Sequence, residues 1–194
     1  AMMIKPSSAI IGFGVREGTL ALIDKLLRRP SRPRRVLQYI RDNVSPGDPA
    51  AALEAMDDFA RSQRFLMNVG DVKGRILVDQ LQQSGAGNVL ELGTYCGYSA
   101  ILMGQHLKGA GHIDSLEVNA DTAATAREII DYTGLSEVVT VHEGAAANII
   151  PNLDKTYQLV FIDHWKDQYL PDLLTIEAHE VTVPGTVIVA DNVG

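Results

Sequence analysis

Apolar positions fall into two regimes along the chain. In the first part they recur at helical spacing. Leu20, Ile23 and Leu27, flanked by Leu22 and Leu26, predict a helix that Pro30 ends. Ser31 is placed to cap a second helix with Val36, Leu37, Ile40 and Val44 along one side. Ser45-Pro46-Gly47 reads as a turn, and Asp48 before Pro49 as an N-cap followed by a first-turn proline. The helix after it buries Leu53, Met56, Phe59 and Ala60, and another is expected from about Val72 to Leu81, closed by Ser84-Gly85-Ala86-Gly87. From Asn88 the rhythm changes. Short runs rich in Val, Ile and Leu (Val89–Leu92, Ile113–Val118, Val138–Val141, Leu159–Ile162, Thr186–Ala190) alternate with helical stretches (Ser99–Leu107, Ala120–Tyr132, Ala145–Ile150 and roughly Gln168–His179). Such alternation predicts an α/β fold, a parallel sheet of about five strands with helices on both faces. Gly134 stands where a helix C-cap glycine belongs.

Composition adds limits rather than a direction. A chain of 194 residues, 46% hydrophobic and 21% charged, is long enough to bury a core without disulfide or metal staples. Its single cysteine, Cys96, forms no internal disulfide and fits a reducing compartment. No apolar run approaches the ~20 residues of a membrane-spanning helix. The first residues lack a clear signal-peptide pattern, so a cytoplasmic protein is the expectation. The net charge of -7 hides an asymmetry: residues 1–41 carry nine Lys/Arg and two Asp/Glu, the remainder eight and twenty-two. An acidic body argues against a nucleic-acid partner. The basic head suits an acidic lipid surface, a partner, or the protein's own acidic body, and is predicted to dock on acidic surface of its own or a neighbouring subunit. The plainer reading of Arg28, Arg29, Arg32, Arg34 and Arg35 is a solvated linker between two helices.

In open parallel sheets ligands bind beyond the C-terminal strand ends. The five expected ends are Glu91-Leu92-Gly93-Thr94-Tyr95-Cys96-Gly97-Tyr98-Ser99, Glu117, His142-Glu143-Gly144, Asp163-His164-Trp165-Lys166 and Asp191-Asn192. Carboxylates at four ends of one crevice would repel one another, which suggests a site for a hydroxyl-rich cofactor and a cation. Gly93 and Gly97 are spaced G-x-x-x-G, not the G-x-G-x-x-G of dinucleotide binders, so S-adenosylmethionine fits better than NAD. Glu117, ending the second strand, is placed to grip ribose hydroxyls. Asp163, Asp191 and Asn192 come from adjacent strands and offer hard oxygens suited to Mg²⁺, Mn²⁺ or Ca²⁺. A helix-capping Asp and a turn Asp-Asn pair are the ordinary alternatives. Lys166, close to such a cation and partly desolvated, suits a base; a surface lysine paired with Asp167 is the alternative. His164 and Trp165 suit an adenine or aromatic substrate wall, or simple packing. Cys96 reads as a small buried residue rather than a nucleophile. Zinc, phosphate-loop and nucleophile-elbow motifs are absent from the sequence.

Together these residues resemble the catechol O-methyltransferase family. The likeness rests on Met67-Asn68-Val69-Gly70-Asp71, on Leu90 to Ser99, on Asp163-His164-Trp165-Lys166-Asp167 and on Ala190-Asp191-Asn192-Val193. Ser45 to Pro49 and Tyr169-Leu170-Pro171-Asp172 match as well, so it runs from about Arg35 to Val193. The resemblance implies a Rossmann-like class I methyltransferase domain over residues 35–194, preceded by a basic helical extension over 1–34. It implies Mg²⁺ held by Asp163, Asp191 and Asn192, and Lys166 as catalytic base. It places S-adenosylmethionine against Val69, Glu91, Gly93, Tyr95, Tyr98, Ser99, Glu117, Val118, Ala145, Asp163, His164 and Trp165. The catechol would meet Phe65, Met67, Trp165, Lys166 and Asn192. The chain departs from the family in three places. Phe65 stands where the family usually has tryptophan. Ala146 and Ala147 replace a Ser-Gln pair that helps hold the adenine. The sequence ends two residues after Asn192, where the family continues for two more strands. Two readings follow: a metal-dependent catechol O-methyltransferase, or a cofactor-binding protein with little catalysis. The uncharged final strand, Thr186–Ala190, also predicts a homodimer that covers this edge.

Overall fold

The computed structural model describes residues 17–19, 24 and 29–193. Apart from Asp24, the helix expected over Leu20 to Leu27 lies outside them. Helix α1 spans Arg32–Asn43, α2 Pro49–Ser62 and α3 Gly70–Ser84. Strand β1 (Asn88–Leu92) then opens the alternating part, followed by α4 (Tyr98–Leu107), β2 (His112–Glu117), α5 (Ala120–Tyr132), β3 (Val139–Glu143) and α6 (Ala146–Ile149). A 3-10 turn at Ile150–Asn152 leads to β4 (Tyr157–Ile162), and another at Lys166–Gln168 leads into α7 (Tyr169–Ala178) and β5 (Thr182–Ala190). Among the described residues the strands form a parallel sheet in the order β3-β2-β1-β4-β5. The order reverses between β1 and β4, so the crevice of this fold opens where Gly93 and Asp163 emerge.

The element types follow the sequence pattern closely, with shifted bounds. Strand β5 begins at Thr182, four residues before its expected start. Its extra residues carry a register irregularity opposite Tyr157 and Leu159, where periodicity is lost. Asp48 caps α2 as its position implies, accepting from the Ala51 N–H at 3.0 Å. Ser31 is the residue before α1, but its side chain makes no capping bond; only its carbonyl is used, by the Arg35 N–H. Asn119, not singled out from the sequence, caps α5 through the Thr122 N–H at 3.0 Å. Gly134 closes α5 with φ +73°, a backbone that favours glycine.

Two apolar layers sandwich the sheet. The larger packs Val36, Ile40, Met56, Phe59, Leu77, Ile101 and Ile129 from α1 to α5 against Val89, Ile113 and Phe161. The smaller packs Leu90, Leu92, Leu116, Val160 and Ile162 against Ile150, Ile176 and Val181. Each such side chain contributes roughly 1.5–3 kcal/mol on burial. The β1 strand feeds alternate side chains to both layers, so Glu91 is fully buried on the larger side.

Of the arginines expected in a solvated linker, Arg28 lies outside the described residues and Arg29 is exposed ahead of the helix, but the other three are not linker residues. Arg32, Arg34 and Arg35 belong to α1, which begins ahead of the expected division at residues 34 and 35. Arg32 pairs with Glu17 at 2.9 Å, while Arg35 and Arg29 reach Asp24 at 3.3 and 3.5 Å. Buried Arg64 joins the same acids at 3.9 and 3.2 Å. Of the acidic body, Glu128 on α5 takes Arg34 and Arg41. Among the described residues no helix is long and apolar enough to cross a membrane.

Candidate active site

The first half of the site is built on the loop after β1. Gly93 (φ +106°) runs so close to β4 that a Cβ would lie 2.4 Å from the Asp163 carbonyl oxygen. Glycine is therefore required by the meeting of two strand ends, a cause apart from the ligand access expected of it. Tyr95 holds a left-handed backbone at φ 46°, a conformation costing about 1–3 kcal/mol in a non-glycine residue. Its N–H donates to Glu117 Oε2 at 2.9 Å, and the Asn119 N–H donates to Oε1 at 2.9 Å. The carboxylate at the end of β2 thus fixes the loop and keeps lone pairs free for hydroxyl donors.

Glu91 lies beneath that loop with no exposed surface. The β1–β2 register sets it opposite Ser115, whose hydroxyl donates to Oε2 and also contacts Thr94 Oγ1 at 2.6 Å. Burial pushes the Glu91 carboxyl up to about 7, against the Ser115 and Ser99 hydroxyls, which favour the charged form. Among the described residues no hydrogen bond closes on its Oε1. A buried acceptor left open under a glycine loop fits a polar ligand carrying an N–H or O–H. Ser99 and Tyr98 begin α4, but the Tyr98 hydroxyl is held by Asp57 Oδ2 of α2 at 3.1 Å and its ring is core. Cys96 is buried and its thiol is pushed up to about 12, which removes it as a nucleophile.

The second half forms at the ends of β4 and β5. Their register places Asp163 beside Asp191: Ile162 faces Ala190, and the Asp191 N–H donates to the Ile162 carbonyl at 2.9 Å. Burial, and next the charge of Asp191, raise the Asp163 carboxyl to about 6. Asn192 turns back with φ +58°, donating from Nδ2 to Asp191 Oδ2 at 2.7 Å. The three expected cation ligands are thus adjacent. Two carboxylates repelling each other beside an amide carbonyl form a donor set that fits a hard divalent ion. Among the described residues no group of three His, Cys, Asp or Glu side chains is placed to hold a metal.

Lys73 is the residue the sequence reading missed. From the first turn of α3 its Nζ donates to Asp191 Oδ1 at 2.7 Å and Oδ2 at 2.6 Å, and to Asn192 Oδ1 at 3.5 Å. It lies two residues after the Met67–Asp71 motif, but only the packing of α3 against β4 and β5 brings it to Asp191. Lys166 is exposed rather than partly desolvated, with Nζ on the Asn192 carbonyl at 2.6 Å. His164 stacks on Tyr169 (5.2 Å between centroids, 16° between planes) and bonds Asp172 through Nε2 at 2.6 Å. Its buried Nδ1 has no hydrogen-bond partner among the described residues. The Tyr169 hydroxyl donates to the Asp191 carbonyl at 3.0 Å, locking α7 to the end of β5. Val69 precedes α3 and is buried; Ala145 precedes α6; Val118, just past β2, is exposed. Phe65, Met67 and Trp165 are exposed, Trp165 by 69%.

A methyltransferase domain family matches residues 90–193, the stretch holding both halves of this site. Catechol O-methyltransferase of Mus musculus is 38% identical over 189 residues, covering 95% of this chain and 71% of that protein. Catechol O-methyltransferase B of Danio rerio is 41% identical over 172 residues, covering 86% of this chain and 65% of that protein. The chain belongs to the catechol O-methyltransferase family. It spans about two thirds of the length of these relatives. The Rossmann-like class I fold is shared with an O-methyltransferase from Bacillus cereus solved in complex with SAH (29% identity, TM-score 0.64, covering 81% of this chain and 72% of that one). As a member of the S-adenosylmethionine-dependent O-methyltransferases, this chain sets its glycine loop, Glu91 and Glu117 at the strand ends where that fold binds its ligand.

Proposed function

We propose that this family member transfers the methyl group of S-adenosylmethionine to one hydroxyl of a catechol, assisted by a divalent cation, Mg²⁺ in the first place. The observation that carries the reading is the meeting of Asp163, Asp191 and Asn192 at adjacent strand ends, with Lys166 bonded to the Asn192 backbone. Asp163, Asp191 and the Asn192 side-chain amide oxygen would hold the ion, which when bound supplies a Lewis acid for the two vicinal oxygens. Glu117 would take the ribose hydroxyls while keeping the Tyr95 loop in place, and Glu91 would take a donor of the same ligand on Oε1. Lys166 Nζ, once deprotonated, takes the proton of the attacking hydroxyl. That oxygen bonds to the methyl carbon as the carbon–sulfur bond breaks, leaving the thioether. The proton transfer is worth ~10²–10⁴-fold, and alignment of oxygen, carbon and sulfur is the larger effect. Met67 and Trp165 supply the apolar contact for methyl group and ring.

The test is transfer of labelled methyl to catechol, with Mg²⁺ and with EDTA. Lys166→Ala and Asp163→Ala should each lower turnover roughly a hundredfold or more. Activity that survives EDTA sinks the metal part. The exposure of Met67 and Trp165 favours one second reading, a cofactor binder with little catalysis. That reading expects calorimetric binding of S-adenosylmethionine and background turnover with every catechol. A homodimer through the β5 edge and a cytoplasmic setting are proposals of the same kind; sedimentation at micromolar concentration tests the first.

A further inference from the structure

Lys73 has no part in the reaction proposed above, yet it makes the closest charged contacts of the acidic cluster. Its ammonium bonds both Asp191 oxygens, and Asn192 Nδ2 adds a second donor to Oδ2. Carboxylate oxygens ligate Mg²⁺ directly, at about 2.0–2.1 Å. An ion so bound and an ammonium 2.6 Å from the same oxygen would be two cations in close contact, with only lone pairs of one carboxylate between them. Lys73 has a way out. It sits on the first turn of α3 and its side chain is 45% exposed, whereas the Asp191 side chain is only 9% exposed. The lysine can swing to water without movement of the helix, whereas the Asp191 backbone is anchored by strand pairing and by the Tyr169 hydroxyl on its main-chain carbonyl.

We propose that Lys73 is a built-in competitor for the divalent cation: ammonium and ion exchange on the Asp191 carboxylate, and the lysine sets how tightly the ion is held. The inference rests on the metal reading of the site. Lys73 also offsets the repulsion between Asp163 and Asp191, so the cluster keeps its shape whichever cation occupies it. The exchange favours a divalent ion over a monovalent one, because only the former exceeds the charge it displaces.

The experiment is Mn²⁺ binding, followed by the electron paramagnetic resonance signal of the free ion and by calorimetry. The proteins are the wild-type chain, Lys73→Met, Lys73→Arg and Asp163→Asn, each checked for fold by circular dichroism. Methionine keeps the length and removes the charge. Lys73→Met should bind Mn²⁺ roughly ten- to hundredfold more tightly, the scale of one charged hydrogen-bond pair no longer displaced. Lys73→Arg should stay near wild type, and Asp163→Asn should bind more weakly. Equal or weaker binding by Lys73→Met, with Mn²⁺ still bound by wild type, overturns the competition alone. No binding by wild type and Lys73→Met alike refutes the metal reading, and the competition falls with it. A second readout leaves the chain unmutated. Mass spectrometry of amine acylation should show Lys73 labelling rise at saturating Mg²⁺ while exposed Lys108 stays constant; unchanged Lys73 labelling overturns the exchange.

Discussion

Replacing Asp114 by alanine should destabilise the fold more than any other single polar change away from the active site. Asp114 is 2% exposed on β2, where four polar groups converge on it. His142 Nε2 lies at 2.7 Å from Oδ1; the Lys155 ammonium and the Tyr157 hydroxyl each donate to Oδ2 at 2.9 Å. His112 is farther, at 3.6 Å. Burial alone would raise this carboxyl, but the bonds from His142, Lys155 and Tyr157 outweigh it and hold the group well below the usual carboxylate range. Removing one partner of a buried pair costs about 3–5 kcal/mol. Lys155 and His142 are about a third exposed and recover water, which lowers the expected cost to ~2–4 kcal/mol. The Tyr157 hydroxyl, buried against the smaller layer, cannot recover in that way. For a domain of this size the melting temperature should fall by roughly 5–15 °C. The folded pKa is depressed, so the contribution is fully present above the unfolded value near ~3.9 and is lost as pH falls below it. Urea unfolding between pH 7 and pH 3 measures both effects. The wild type should lose more stability on acidification than Asp114→Ala. A cost under about 1 kcal/mol at pH 7, or parallel pH profiles, would refute the argument that this cluster outweighs its own desolvation.

Other outcomes follow from single observations. Glu91 is raised to about 7, so its burial contributes stability below the unfolded value near ~4.5 that is lost as pH rises through 7. Glu91→Gln should flatten the stability profile across that window, and an unchanged slope in denaturant titrations would contradict the assignment. Gly93→Ala puts a methyl 2.4 Å from the Asp163 carbonyl, so calorimetry should show S-adenosylmethionine binding weakened at least tenfold, and wild-type affinity would show that the strand ends can part. Asp48→Ala removes the cap on α2 and should cost about 1 kcal/mol in urea unfolding, without effect on cofactor binding.

Local chemistry made much of this protein readable in its sequence. Short apolar runs and helical spacings predict the β1-to-β5 alternation because strands between two layers are apolar on both faces while each helix hides one, and Asp48-Pro49 and Gly134 act through backbone rules that need no tertiary partner. The glycine loop, Glu117, Asp163, Asp191 and Asn192 stand out because a parallel sheet gathers its C-terminal strand ends into one crevice. What sequence spacing leaves open is which side chains share atoms there. Lys73 reaches Asp191 across 118 residues only because α3 packs on β4 and β5. Ser115 meets Glu91 through strand register, and Gly93 is forced by the approach of a carbonyl from β4. The arginines of α1 read as solvated because their acids, Glu17, Asp24 and Glu128, are brought to them by packing. Contacts between residues far apart in the chain depend on how whole elements dock, and docking is decided by the two apolar layers together, which no local window of the sequence contains.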